Sequence, residues 1–217
     1  MTIRAAVITG GHEYDVPAFH TLFRSFCGID AYIQHLDDFV ADAGRVRRWY
    51  DVIVFYHLDS ETPTGQTREA LEGLGATGQG ILVLHHALVA YPDWQPWSDI
   101  CGIAQRSVSQ PGFGSDVGQR LRLEIADAGH PITRGLSAWE LIDETYTMPN
   151  ADPSSEILLT TTHPRSMRTI AWTRQYGSSR VLCFQSGHDA QAYGDPGFRK
   201  VMAQGIRWLA GREEVER

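Results

Sequence analysis

The chain has 217 residues, 42% hydrophobic and 21% charged, a globular balance with enough apolar material for one core. The net charge of −7, with no Lys/Arg run to displace phosphate counterions, argues against nucleic acid as a partner. No apolar stretch reaches the ~18 residues of a membrane span.

Ile3 to Thr9 is a short apolar run closed by Gly10-Gly11 and predicts a strand buried on both faces. A helix follows, with Asp15 as its N-cap and Pro17 in its first turn. Phe19, Leu22, Phe23 and Phe26 fall on one face of it, and Gly28 ends it. Ile29 to Leu36 reads as a second strand and Asp51 to Tyr56 as a third. Pro63 to Leu74 is a helix stopped by Gly75, and Gly80 to Leu84 a fourth strand. Arg45-Val-Arg-Arg48 beside Asp37, Asp38 and Asp42 reads as a solvated face. The stretch from Tyr91 to about Gly118 is rich in Trp, Pro, Gly and Ser, and reads as a functional cover or an ordered excursion.

Arg120 to Ala126 and Glu156 to Thr161 alternate as strands do. Thr169 to Arg174 and Arg180 to Phe184 flank a turn and predict an antiparallel hairpin. The last helix takes Asp195 as its N-cap and turns Phe198, Val201, Met202, Ile206 and Leu209 inward. Strands alternating with helices predict an α/β fold, a doubly wound, mostly parallel sheet with helices on both faces. No repeat or linker divides the chain, so residues 1–217 read as one domain. Cys27, Cys101 and Cys183 form no C-x-x-C pair, and Cys27 and Cys183 read as buried thiols. With no room for a signal peptide before the strand at Ile3, the expected compartment is the cytoplasm.

The chemistry gathers at predicted strand exits, where open parallel sheets bind ligands. His12 follows the first strand, His57 and Asp59 the third, His85 and His86 the fourth, and His188-Asp189 the last. Imidazoles there suit proton transfer or metal ligation. Adjacent residues of a strand face opposite ways, so we assign His86 to the pocket and His85 to orienting it. Asp143-Glu144 is either a carboxylate partner for the histidines, as a base or in a mixed metal site, or a cap or surface turn. Gly10-Gly11 without a fuller phosphate fingerprint does not support nucleotide binding. Tyr14, Trp94, Trp97, Trp139, Tyr146 and Tyr193 would stack on sugars or pack beneath loops.

Gly10-Gly-His-x-Tyr-Asp15, Leu84-His-His-Ala87, Tyr91-Pro-Asp-Trp94, His130-Pro-Ile-Thr133, Asp143-Glu-x-Tyr146 and Gly187-His-Asp189 together resemble the ThuA-like, trehalose-utilisation family. The resemblance implies a flavodoxin-like sheet related to class I glutamine amidotransferases and a role in trehalose and glycoside catabolism. Those enzymes attack through a cysteine at a strand-to-helix turn, and Leu84-His-His-Ala-Leu88 has neither cysteine nor serine there, so acyl-enzyme chemistry is not expected. The expected ligand is a small carbohydrate, and the expected reaction an isomerisation, elimination or hydrolysis. His86, Glu144 and His188 are the expected catalytic residues and the expected ligands of any divalent metal such as zinc. His12, Tyr14, His57, His85, Trp94, Asp143 and Asp189 would contact the substrate. A non-catalytic sugar-binding module, a homo-oligomer, or a subunit of a larger complex remain alternatives.

Overall fold

The computed structural model describes residues 2–41 and 45–213; Asp42, named above, lies outside them. Nine strands form the sheet: β1 (Ile3–Gly10), β2 (Ile29–His35), β3 (Val52–His57), β4 (Gly80–Leu84), β5 (Gly114–Ile125), β6 (Trp139–Thr147), β7 (Glu156–Thr160), β8 (Thr169–Tyr176) and β9 (Ser179–Phe184). Their spatial order is β2-β1-β3-β4-β9-β8-β7-β5-β6. The half from β2 to β9 is parallel, and the half from β9 to β6 is antiparallel. The expectation of a mostly parallel sheet is therefore corrected: the sheet is mixed. The cause is β9, which pairs in parallel with β4 on one side and begins an antiparallel succession with β8 on the other.

Strands β3 and β4 are buried along their whole length, as their unbroken apolar runs require when both faces are covered. Alternate residues of β1 feed two cores. Ile3, Ala5 and Val7 meet α1 (Val16–Arg24) and α6 (Pro196–Leu209), whereas Ala6 and Ile8 meet α2 (Leu36–Ala41), α3 (Gly65–Glu72) and α4 (Gln95–Cys101). Helices thus lie on both faces. Asp15 caps α1 by accepting from Ala18 N at 3.0 Å, and Asp195 caps α6 by accepting from Phe198 N at 2.7 Å.

Several boundaries move. Leu36 opens α2 rather than closing β2, and α3 is shorter than the expected Pro63 to Leu74. The stretch at 91–118 contains α4 and the first part of β5. Strand β6 is the main element that local patterning missed. Cys27 is exposed rather than buried.

No helix among the described residues is long and apolar enough to cross a membrane.

Candidate functional site

Three chain segments meet at the carboxyl ends of β4 and β9. The first is the turn after β4, a 3-10 turn spanning His85–Val89. His85 opens it with φ at +53°, one of two non-glycine residues in the left-handed region among the described residues. Such a conformation costs of order 1–3 kcal/mol, and here it directs a fully buried imidazole inward.

The second segment is β6, which reaches the site as half of a ribbon with β5. The register between them slips between Asp116 and Gln119, opposite Glu144. A bulge of this kind re-aims the partner strand's side chains. Glu144 and Tyr146, two residues apart, share a face and both meet His85. The third segment is the loop after β9, residues 185–188. Asp189 then caps α5 (Ala190–Gly194) by accepting from Gln191 N at 2.8 Å.

Glu144 Oε2 is the centre of the cluster. It lies 3.1 Å from His85 Nε2, 2.9 Å from His188 Nδ1 and 3.3 Å from the Tyr146 hydroxyl. His85 Nδ1 is 2.8 Å from the Gln185 carbonyl oxygen. A carbonyl only accepts, so Nδ1 carries a proton, and in the neutral ring Nε2 is a bare lone pair. Against a carboxylate oxygen Nε2 is a donor only in the doubly protonated ring. Tyr146, 3.1 Å from Nε2, has a single proton for two acceptors. His188 Nδ1 sits at ion-pair distance from Glu144, but its direction does not satisfy hydrogen-bond geometry. A proton on Nε2 or a divalent cation there would supply positive charge facing Glu144.

Burial pushes the Glu144 carboxyl up, but its contacts with His188 and His85 outweigh this and hold it well below the usual carboxylate range. The same contact with Glu144 raises His188 against its partial burial. Tyr146 is raised far above an ordinary phenol, chiefly by burial and then by Glu144 and Asp143. His85 Nε2, Glu144 Oε2 and His188 Nδ1 lie within 4.8 Å of one another, and two imidazoles with one carboxylate are a zinc donor set.

The structure thus brings Glu144 and His188 together with His85, not with His86. The assignment within the histidine pair is exchanged, because positive φ at His85 turns its ring toward Glu144. His86 instead lies between Tyr56 and His12, with ring centroids 4.2 and 4.6 Å away, and its Nε2 is 3.2 Å from the Tyr56 carbonyl oxygen. Burial, followed by the neighbouring imidazoles, pushes His86 down to about 2. His12 is exposed and stacks on His86, and Tyr14 packs edge-on against Tyr56. Trp94 is buried against Tyr91, so no ring face is offered to a ligand. Asp143 is buried and accepts main-chain N–H groups.

His57 is buried among Phe55, Tyr91 and Trp97, and neither ring nitrogen has a hydrogen-bond partner. Burial, with a smaller contribution from His35, pushes it down to about 3. Between that value and the ordinary imidazole range only the unfolded chain binds the proton, so stability falls as pH falls through this window. The loss is ~1.4 kcal/mol for each such pH unit. His57→Phe is expected to flatten the dependence, measured as urea midpoints from pH 7 to pH 4; an unchanged slope would place the acid sensitivity elsewhere.

Sequence reasoning missed Tyr146 as a site residue and Gln185 altogether. The signal for Tyr146 was its two-residue spacing from Glu144, which becomes informative once β6 is known to be a strand.

The family model described as ThuA, trehalose utilisation, matches residues 11–209. The chain belongs to the ThuA family. None of the curated proteins matches its sequence. A crystal structure of a ThuA-like protein from Parabacteroides merdae is similar at a TM-score of 0.79 and 19% identity, covering 100% of this chain and 93% of that one. A ThuA-like protein from Bacteroides uniformis gives 0.73 and 18%, covering 95% and 91%. A glutamine amidotransferase from Thermotoga maritima gives 0.54 and 8%, covering 97% and 99%, a likeness of fold alone. In this ThuA-family chain, the turn that follows β4 carries His85.

Proposed function

We propose that this ThuA-family chain is an enzyme of carbohydrate catabolism, acting in the cytoplasm on a sugar or keto-sugar derivative through the His85–Glu144–His188 cluster. The observation that carries this reading is Glu144 Oε2, one carboxylate oxygen shared by two imidazoles and a phenol at the strand exits. Paired Glu144 and His188, with displaced affinities for protons, have the character of an acid–base pair. Glu144 is held too acidic to take a proton readily, so the proton-moving group is His188 and Glu144 orients it.

With Nδ1 turned to Glu144, the His188 side chain, 28% exposed, presents Nε2 to a ligand. His188 protonated at Nε2 gives its proton to a sugar oxygen as charge develops there. Neutral at Nε2, it takes a proton from a hydroxyl or from the carbon beside a carbonyl. Isomerisation and elimination both use these two steps. His12, stacked on His86, and Tyr14, packed on Tyr56, would hold the sugar.

A second reading is favoured by the convergence of His85 Nε2 and His188 Nδ1 on Glu144 Oε2. His85, Glu144 and His188 would hold a divalent metal, which would polarise a carbonyl or hydroxyl oxygen as a Lewis acid. Elemental analysis of the purified protein tests this directly, with about one zinc per chain expected in the wild type and loss of it in His85→Ala.

The functional test is incubation with unphosphorylated disaccharides and their keto derivatives, followed by mass spectrometry. The expected result is a product of changed mass or retention, formed by the wild type and not by His188→Ala. Recovery of every sugar unchanged, with a rise in thermal stability, would instead make the chain a binding module.

A further inference from the structure

The two groups that meet at the site arrive on separate supports. Glu144 comes on β6, and β6 is tied to the main sheet through β5, whose pairing with β7 spans only Glu124–Thr160 and Ile125–Leu159. That junction is far along the ribbon from the pair of Gln119 with Asp143. The ribbon is also held near Glu144, with Met167 N donating to the Tyr146 carbonyl at 2.6 Å and Leu141 buried in the core, but no sheet pairing joins β6 to β9. His188 comes on the irregular loop that follows β9.

Two side chains span the gap, those of Asp143 and Gln185. Asp143 is 2% exposed, and its carboxylate accepts three main-chain N–H groups. Oδ2 accepts from Gly187 at 2.7 Å, and Oδ1 accepts from His188 and from Glu144, both at 2.9 Å. The loop is held from its other side as well. The Tyr56 hydroxyl donates to the Gly187 carbonyl at 2.9 Å, and the Tyr193 hydroxyl, 2.6 Å from that of Tyr56, is 3.2 Å from the His188 carbonyl. Gln185 Nε2 also donates to the Glu144 carbonyl at 2.8 Å.

We infer that Asp143 is a positioning residue, the clamp that sets the separation of Glu144 and His188, rather than a group that touches substrate. The carboxylate is spent on backbone donors and is closed to solvent, so no oxygen is left to read a sugar hydroxyl. Its chemistry suits the task. Only a two-oxygen acceptor takes N–H groups from adjacent residues of the loop and from the strand at once. Asparagine at this position keeps the volume but presents an NH₂ group to one of the three donors.

This role rests on the reading of the site given above, and the measurements separate the two. Asp143→Asn is compared with wild type by amide hydrogen exchange at Gly187 and His188, by the 15N signals of the His188 imidazole, and by kcat and KM on the sugar substrate. Exchange at Gly187 is expected to rise and the His188 ring signals to shift. A displacement of about 1 Å at a catalytic group lowers kcat by about 100-fold, with KM close to wild type. Asp143→Glu, which keeps both oxygens but lengthens the arm, is expected to recover part of the exchange protection without recovering kcat. Unchanged ring signals, or wild-type kcat in Asp143→Asn, would overturn the positioning role. Should Asp143→Asn not fold, wild-type exchange decides: amides of Gly187 and His188 as protected as those of β6 support the clamp, and free-loop exchange there ends it. A protein that turns over no sugar but shows the exchange and ring responses keeps the clamp and loses the proposed reaction.

Discussion

Glu144→Gln is expected to lower turnover of the sugar substrate by about 100- to 10,000-fold, because His188, the acid–base group, loses the carboxylate that orients and charges it. The substitution keeps the side chain's size and one carbonyl oxygen, so β6 and its ribbon with β5 remain. What changes is charge. His188 is held above its ordinary range chiefly by its contact with Glu144, and a neutral amide removes that attraction. His188 would then carry its proton over a lower span of pH, and the acid limb of the rate profile would move downward. The amide also has two outcomes at Oε2's position. An oxygen facing His85 Nε2 still accepts from a doubly protonated ring, whereas an NH₂ group there matches only a neutral ring's lone pair. Neither restores an anion between the imidazoles. The measurement is kcat as a function of pH, beside a thermal midpoint to confirm folding. Turnover within a few-fold of wild type at every pH would remove Glu144 from the mechanism.

Trp172→Ala is expected to destabilise the fold by about 3–5 kcal/mol, a large share of the stability typical of a domain. Trp172 is completely buried on β8, opposite Cys183 of β9 and Ile157 of β7, where the sheet changes from parallel to antiparallel. Its indole N–H donates to the Cys101 carbonyl at 2.9 Å, tying the end of α4 to the sheet. Alanine there leaves a cavity and takes away the carbonyl's indole donor. Trp172→Phe keeps most of the packing and is expected to lose less. Urea midpoints of the two variants against wild type check the prediction. A loss below about 1 kcal/mol for alanine would mean that the core collapses into the space.

The parts of this protein that were legible in sequence are those stabilised by neighbours in the chain. Asp15 and Asp195 cap helices because a side-chain oxygen reaches an N–H three residues on, an interaction local enough to read directly. The apolar runs of β1, β3 and β4 predicted strands buried on both faces for a similar reason, since the runs cannot be solvated. The hairpin of β8 and β9 was visible in its turn. Position at strand exits likewise singled out His85, His86 and His188 as residues at one rim.

The tertiary structure decided which of them meet. His85 and His86 are equivalent by local rules, and positive φ at His85 gives the place beside Glu144 to His85. Asp143-Glu144 read equally well as a cap, because what makes it a site is pairing with β5, a bulge opposite Glu144, and hydrogen bonds to a loop 44 residues away. The mixed order of the sheet has the same origin, in the choice of β9 to pair with β4 on one side and β8 on the other. Backbone hydrogen bonds between distant segments carry no residue signature, since every non-proline residue offers the same donor and acceptor. Composition and spacing therefore determined the elements and the kinds of chemistry available, and long-range pairing determined which groups share an oxygen.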